Sequence, residues 1–347
     1  MISLIIPTTS KNKNYTDSIL ENIRELYPDE SKVEIILEVS DEANLAENYN
    51  NAVARASGEK VILLHNDMIL SSGFIETMDK HITKGRVTSY TRVEPPIFHD
   101  LYPGKLLVDC GSDLESFDKE KFNSLSYQEE LIDGGSQLFF GCYKEDYIKI
   151  DDSTFFPPAM WCSDDDLHLR YSIGRFEHKV SSAHVYHFVS KTSRANNDYE
   201  QAERNSNRNF IRKWGFRKSI HNKRYNKTLV INNCDFVALA NLEPWCDKIY
   251  IDDGGQYLTN QYITAERSNT IYDLNKRIFD KKFNTPEGDI IIEFDARLMN
   301  QESFKIIQNI SDIITESGEI GKFQVDIFNI TINDVKSYEE NLIKVSN

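Results

Sequence analysis

The chain has 347 residues, 40% hydrophobic and 11% aromatic, with 55 acidic side chains against 40 basic ones and a formal net charge of −15. That length suits two domains, and the apolar content excludes general disorder. The negative balance argues against a broad nucleic-acid-binding surface, and there is no run of the ~20 uncharged apolar residues needed to span a bilayer.

Met1 to Pro7 lacks a basic start and a small-residue cleavage site, so it reads as a strand and not as a signal peptide. The five cysteines (Cys110, Cys142, Cys162, Cys234 and Cys246) are odd in number and include no CxxC pair. They predict reduced thiols and a cytoplasmic setting instead of a disulfide framework or a zinc site.

Along the chain, Ile2–Ile6, Val33–Leu37 and Val61–Leu64 are short runs rich in Ile, Val and Leu bounded by turn residues, the pattern of buried strands. Asp17–Leu26 and Asn44–Ala56 carry apolar residues at helical spacing, with Gly58 placed to cap the second helix. Strands alternating with helices predict βαβ units and a mostly parallel α/β sheet. Ligands of such sheets bind at the carboxyl ends of the strands. Pro7, Thr8 and Thr9, then Glu38, then His65, Asn66 and Asp67 are therefore expected to line a site.

Thr91–Lys105, with its prolines, glycines and aromatic residues, reads as a loop. Leu138–Tyr143 reads as a strand, and Asp164–Ile173 and Asn197–Trp214 as helices. A first domain over residues 1–225 is expected, followed by a small α/β domain over 228–347 of unknown role. The second has strands at Leu229–Ile231, Lys248–Ile251 and Asp289–Phe294 and a helix at Glu302–Thr315. Asp252-Asp253-Gly254-Gly255 is better explained as a turn after a strand than as a cation site.

Three stretches carry chemistry. Leu63-Leu64-His65-Asn66-Asp67 puts metal-binding groups after an apolar strand, although an acid there also suits a turn or a helix cap. Asp164-Asp165-Asp166 follows Phe155, Phe156, Pro157, Pro158 and Trp161, which read as a cleft wall. Adjacent carboxylates repel unless a cation, an arginine or solvent compensates, and a helix N-terminus favours one or two of them. Asp166 and Arg170 stand four apart and can pair. In His184-Val185-Tyr186-His187-Phe188, strand alternation separates His187 from His184 and Tyr186.

Lys191–Lys227 holds eleven basic residues against three acidic ones. Such a helix either pairs with acidic neighbours or recognises phosphate or an anionic acceptor. Arg204, Arg208, Arg212 and Lys213 share one helical face, and that face is expected to bind the acceptor or the donor diphosphate.

Together these pieces resemble the family 2 glycosyltransferases of the GT-A fold over roughly residues 2–214. Ile2–Pro7 with Thr8-Thr9 looks like that family's opening strand and nucleotide-contacting turn, and Ala46-Glu47-Asn48 stands where the family commonly has Ala-Arg-Asn. His65-Asn66-Asp67 matches the DxD position with only the last acid kept, and Gly134-Gly135-Ser136 through Gly141 looks like the segment bordering donor sugar and acceptor. The Asp164–Arg170 stretch resembles the one carrying the catalytic base, with Ser163 where Glu is usual, and His187-Phe188 resembles the later histidine that completes the metal site.

The resemblance implies a Rossmann-like nucleotide-sugar domain and an inverting, metal-dependent glycosyltransferase. Its donor would be a nucleotide sugar, with UDP-sugar as the default, and its cation Mn²⁺ or Mg²⁺ held by Asp67, His187 and His65. Pro7, Thr8, Thr9, Glu38, Asn48, Asn66 and Asp67 would contact the donor. Asp164 would be the base with Asp165 its rival, and Gly135, Ser136, Trp161, Arg208 and Arg212 would serve acceptor or diphosphate. The acceptor would be a glycan or lipid-linked saccharide ahead of a nucleic-acid base. The alternatives are a nucleotidyltransferase, which wants a glycine-rich basic loop where Pro7-Thr8-Thr9-Ser10 stands, and a non-catalytic sugar- or nucleotide-binding protein with a decayed metal site.

Overall fold

The structure, a computed structural model, describes residues 1–29, 31–41, 45–99, 101–125, 131–135, 139–150, 163–189, 199–217, 223–254 and 256–343. It is a mixed α/β protein whose chain divides into two compact units. One takes most of the residues up to 199 and the other those of 200–342.

The first unit runs β1 (Ile2–Thr8), α1 (Lys13–Leu26), β2 (Val33–Val39), α2 (Leu45–Arg55), β3 (Lys60–Leu63), β4 (Met68–Leu70), α3 (Phe74–His81), β5 (Arg86–Glu94) and β6 (Lys105–Leu107). It continues through α4 (Lys119–Ser124), β7 (Leu131–Asp133), β8 (Phe140–Tyr143), α5 (Lys144–Ile150), α6 (Ser163–Ile173) and β9 (Glu177–His187). The main sheet order is β2-β1-β3-β8-β5-β9-β4, with β6 paired to β5 and β7 to β9.

β1 is buried along its whole length. Its alternation feeds two cores, as strand geometry requires. Ile2, Leu4 and Ile6 pack with Ile19 and Ile23 of α1 and with Phe74 and Met78 of α3. Ile5 packs with Tyr49, Ala52 and Val53 of α2 and with Leu167 and Tyr171 of α6. Each such buried aliphatic side chain contributes ~1.5–3 kcal/mol relative to exposure.

The sheet is mixed, where a mostly parallel one was expected. β1 pairs in parallel with β2 and β3, and β5 with β9. β8 runs against β3 and β5, and β4 against β9. Thr91–Lys105 also departs from the loop reading, because Thr91–Glu94 complete β5 and Lys105 opens β6. Gly58 does not cap α2 through a left-handed turn. A Cβ there would lie 2.6 Å from Ser3 Oγ and 2.9 Å from the Met1 carbonyl oxygen, so glycine is needed for close approach to β1.

In the second unit, α7 (Tyr199–Trp214) leads to β10 (Lys227–Asn232), α8 (Phe236–Leu242), β11 (Lys248–Ile251), α9 (Tyr257–Glu266), β12 (Ile278–Asp280) and β13 (Ile290–Asp295). The unit ends with α10 (Gln301–Ser317) and a hairpin, β14 (Gly321–Val325) and β15 (Phe328–Ile332). β12-β11-β10-β13 are parallel, and the hairpin adds antiparallel strands at one edge. Ile211 of α7 joins the apolar core on this sheet, so the division falls near residue 199, not at 225–228. Asp253 accepts hydrogen bonds from the Leu258 and Thr259 amides at 3.2 and 2.7 Å. The Asp252-Asp253 turn thus caps α9. Among the described residues, Cys110, Cys142, Cys234 and Cys246 are free thiols, and no helix is long and apolar enough to cross a membrane.

Candidate functional site

The carboxyl ends of four strands that run in one direction bring the chemistry together. β1 ends at Thr8, β3 runs into His65-Asn66-Asp67, β5 ends at Glu94 and β9 ends at His187. From β1 the chain proceeds to β2 on one side, while β3 lies on the other. This reversal is where open α/β sheets place ligands.

β4 follows Asp67 at once and pairs antiparallel with β9, Met68 opposite His187. The Phe188 amide donates to the Asp67 carbonyl at 3.0 Å. The same pairing sets the Asp67 Oδ1 carboxylate oxygen 3.4 Å from His187 Nε2. His65 joins them, its ring 5.7 Å from that of His187 and 4.8 Å from Phe139. One ligand atom from each of His65, Asp67 and His187 lies within 4.8 Å of the others.

Burial sets the protonation of this group. It pulls the His65 pKa down to about 4, so that imidazole is neutral near pH 7. For His187 burial acts in the same direction, but Asp67 and Glu94 outweigh it and the pKa is raised. Nε2 of His65 and Nε2 of His187 are both buried without a hydrogen-bond partner. The nearest polar atom to His187 Nε2 among these groups is Asp67 Oδ1, a long ion-pair contact at 3.4 Å. Leaving such nitrogens unmet costs ~1–3 kcal/mol each, and a divalent cation would relieve it. Two imidazole nitrogens and a carboxylate are a fitting donor set for Mn²⁺ and its transition-metal neighbours.

The other expected residues take the following places. Thr8 Oγ1 lies 2.7 Å from Thr16 Oγ1 and accepts from Asn66 Nδ2 at 2.9 Å, tying the end of β1 to the turn after β3. Pro7 is buried within β1, Thr9 Oγ1 accepts from Asn12 Nδ2 at 3.0 Å, and Glu38 pairs with Arg55. Asn48 is buried in α2, and its Oδ1 has no hydrogen-bond partner. Gly135 is half-buried, and a Cβ there would approach Ser89 Oγ to 2.8 Å. Ser136, Trp161 and the Asp164 side chain lie outside the described residues. Asp165 is half-buried in the first turn of α6, whereas Asp166 is fully buried and accepts from Arg170 Nε at 2.8 Å.

Arg208 and Arg212 do not form an anion-binding face. Arg212 is 1% exposed, its Nη2 2.8 Å from Glu243 Oε2 and 2.6 Å from Glu266 Oε1. Arg208 donates to Glu266 Oε1 at 2.7 Å and to the Ala240 carbonyl at 2.6 Å. Both are ion-paired inside the second unit. The basic helix thus follows the pairing alternative, with its acidic partners on other elements of that unit.

Glu94, Arg92, Lys105 and Phe139 were missed by sequence reasoning. Glu94 Oε1 accepts from His187 Nδ1 at 2.8 Å, and Arg92 Nη1 and Lys105 Nζ lie 3.3 and 3.5 Å from its carboxylate. Their signal was Arg92-Val93-Glu94 itself, two opposite charges on one face of a strand.

No family model matches the chain, and no curated protein does. Similar solved structures include S. aureus TarS 1–349, at TM-score 0.37 and 14% identity over 54% of this chain and 60% of that one. The same protein in complex with UDP gives 0.36 and 14% over 53% and 59%. GalNAc-T7 with UDP, GalNAc and Mn²⁺ gives 0.39 and 8% over 54% and 43%. The chain covers 60% or less of the length of each of these. The likeness to family 2 glycosyltransferases rests on the sequence motifs alone.

Proposed function

We propose that the first unit transfers a glycosyl group from a nucleotide sugar to a hydroxyl acceptor, with the donor diphosphate held through a divalent cation by His65, Asp67 and His187. The observation that carries this reading is the convergence of His65, Asp67 and His187 at the carboxyl ends of β3 and β9, with both Nε2 atoms buried and without a hydrogen-bond partner. Charge supports it. A cation binds the two histidines in their neutral form; Asp67 and Glu94 then balance Arg92 and Lys105, so the cation brings two uncompensated positive charges. The negative oxygens of a diphosphate supply the counter-charge. When bound, the cation supplies Lewis-acid stabilisation of the leaving group.

The protein's own residues do the rest. β4 and β9 hold Asp67 and His187 in register. The Thr8–Thr16–Asn66 network stiffens the turn that presents His65. Opposite the leaving group, an acid in the first turn of α6, Asp164 with Asp165 as rival, takes the acceptor proton, and a single displacement inverts the anomeric centre. UDP-sugar is the donor tested first, and a glycan or lipid-linked saccharide is the acceptor class. Nucleotide release from a panel of nucleotide sugars, with Mn²⁺ and with chelator, tests the reading. Metal-dependent release from one donor is expected, and release from none in the presence of Mn²⁺ and saccharide acceptors contradicts it.

A further inference from the structure

Glu94 is almost fully buried, a costly place for a carboxylate without compensating partners. It is the last residue of β5, and the parallel register that pairs Val93 with Tyr186 sets it beside His187. Its two oxygens are held from three sides. Oε1 faces His187 Nδ1 at 2.8 Å and Arg92 Nη1 at 3.3 Å, and Oε2 faces Lys105 Nζ at 3.5 Å. Arg92 is itself fixed, its guanidinium 3.7 Å from the centre of the Phe139 ring and hydrogen-bonded to Tyr102. The carboxylate cannot swing away from the histidine without abandoning both cations.

An ionised carboxylate only accepts hydrogen bonds, so the contact at Nδ1 requires the proton there. In the neutral ring the lone pair is then on Nε2, the nitrogen that has no hydrogen-bond partner and faces Asp67 at 3.4 Å. Phe139 stands 5.3 Å from the same imidazole, centre to centre, and limits its rotation. A carboxylate behind a histidine fixes its tautomer and ring orientation and raises the basicity of the opposite nitrogen, and losing one typically weakens metal binding ~10–100-fold.

We propose that Glu94, clamped by Arg92 and Lys105, is the positioning residue that holds His187 with Nε2 presented to the cation. This rests on the reading of His65, Asp67 and His187 as a metal centre. Glu94 itself does not touch the ion. Its contribution is the direction and basicity of one ligand.

The test is Mn²⁺ alone, titrated into the full chain without nucleotide and followed by electron paramagnetic resonance of the free ion. Glu94→Gln, of the same size and uncharged, is expected to bind Mn²⁺ ~10–100-fold more weakly than the wild type. A folded Glu94→Gln with wild-type affinity overturns the positioning role while leaving the metal centre standing. A wild type that takes up no Mn²⁺ overturns the metal centre and the inference with it. Should the variant not fold, the wild type decides. Nitrogen NMR of His187 at pH 9 without metal is expected to show the proton on Nδ1, and a proton on Nε2 with a bare Nδ1 overturns the proposal.

Discussion

Asp67 and His187 meet twice: the backbone pairing of β4 with β9 joins their segments, and the imidazole Nε2 stands 3.4 Å from the carboxylate. The sheet therefore positions the pair before any ligand arrives. Asp67→Asn keeps the size of the side chain and removes its charge. We expect it to abolish Mn²⁺-dependent binding of a nucleoside diphosphate in calorimetry while secondary structure is retained. Unchanged affinity with Mn²⁺ would remove Asp67 from the site.

The proposed function puts the base in the first turn of α6. Asp166 is buried against Arg170, so Asp164 and Asp165 are the candidates of the proposal. Asp164→Asn is expected to lower kcat ~10²-fold or more, the scale of a lost general base, with little change in donor KM. Asp165→Asn is expected to do less. The reverse order in steady-state kinetics would transfer the role to Asp165.

Glu243 is a stability determinant of the second unit. It is fully buried, receives Arg212 at 2.8 Å and Arg277 at 2.5 Å, and accepts from the Tyr262 hydroxyl at 2.8 Å. Burial alone would raise its pKa, but Arg277 and Arg212 hold it at about 2. A depressed carboxylate stabilises the fold fully above its unfolded pKa, ~4.5, and loses that contribution as pH falls toward 2. Glu243→Gln leaves buried arginines under-compensated and is expected to cost about 3–5 kcal/mol. This would be read as a lower urea midpoint, with the difference from wild type shrinking between pH 4.5 and 2. An unchanged midpoint at pH 7 would show that the cluster contributes nothing.

Gly58→Ala tests the close approach of the α2–β3 connection to β1. The new methyl would sit 2.9 Å from both the Met1 carbonyl oxygen and the Ser3 amide nitrogen, backbone atoms that cannot step aside as a flexible side chain can. A loss of ~1–3 kcal/mol is expected, the usual cost of overpacking, visible as a lower melting temperature. A variant as stable as the wild type would show that the connection shifts freely.

β1, β2, β3, α1 and α2 were legible because apolar runs and helical spacing are local signals. The convergence of His65, Asp67 and His187 was legible for a related reason, since polar residues at the end of an apolar strand stand out. β5 was not. Its end carries Arg92 and Glu94, followed by Pro95 and Pro96, and the charges are tolerated only because His187, Lys105 and Tyr102 compensate them from elsewhere in the chain. α7 failed in the opposite sense. Its arginines read as a surface for anions, whereas Glu243 and Glu266, distant in sequence, draw Arg208 and Arg212 inward. The mixed direction of the sheet was equally hidden, because strand polarity depends on connections that no local pattern encodes.

Anomalous diffraction from a crystal grown with Mn²⁺ and UDP would locate the cation relative to His65, Asp67 and His187. One strong manganese peak is expected within bonding distance of Asp67 and His187, close to His65, with the diphosphate oxygens completing its coordination. A nucleotide bound without manganese at these three side chains, or manganese bound elsewhere on the chain, would contradict the proposed metal centre.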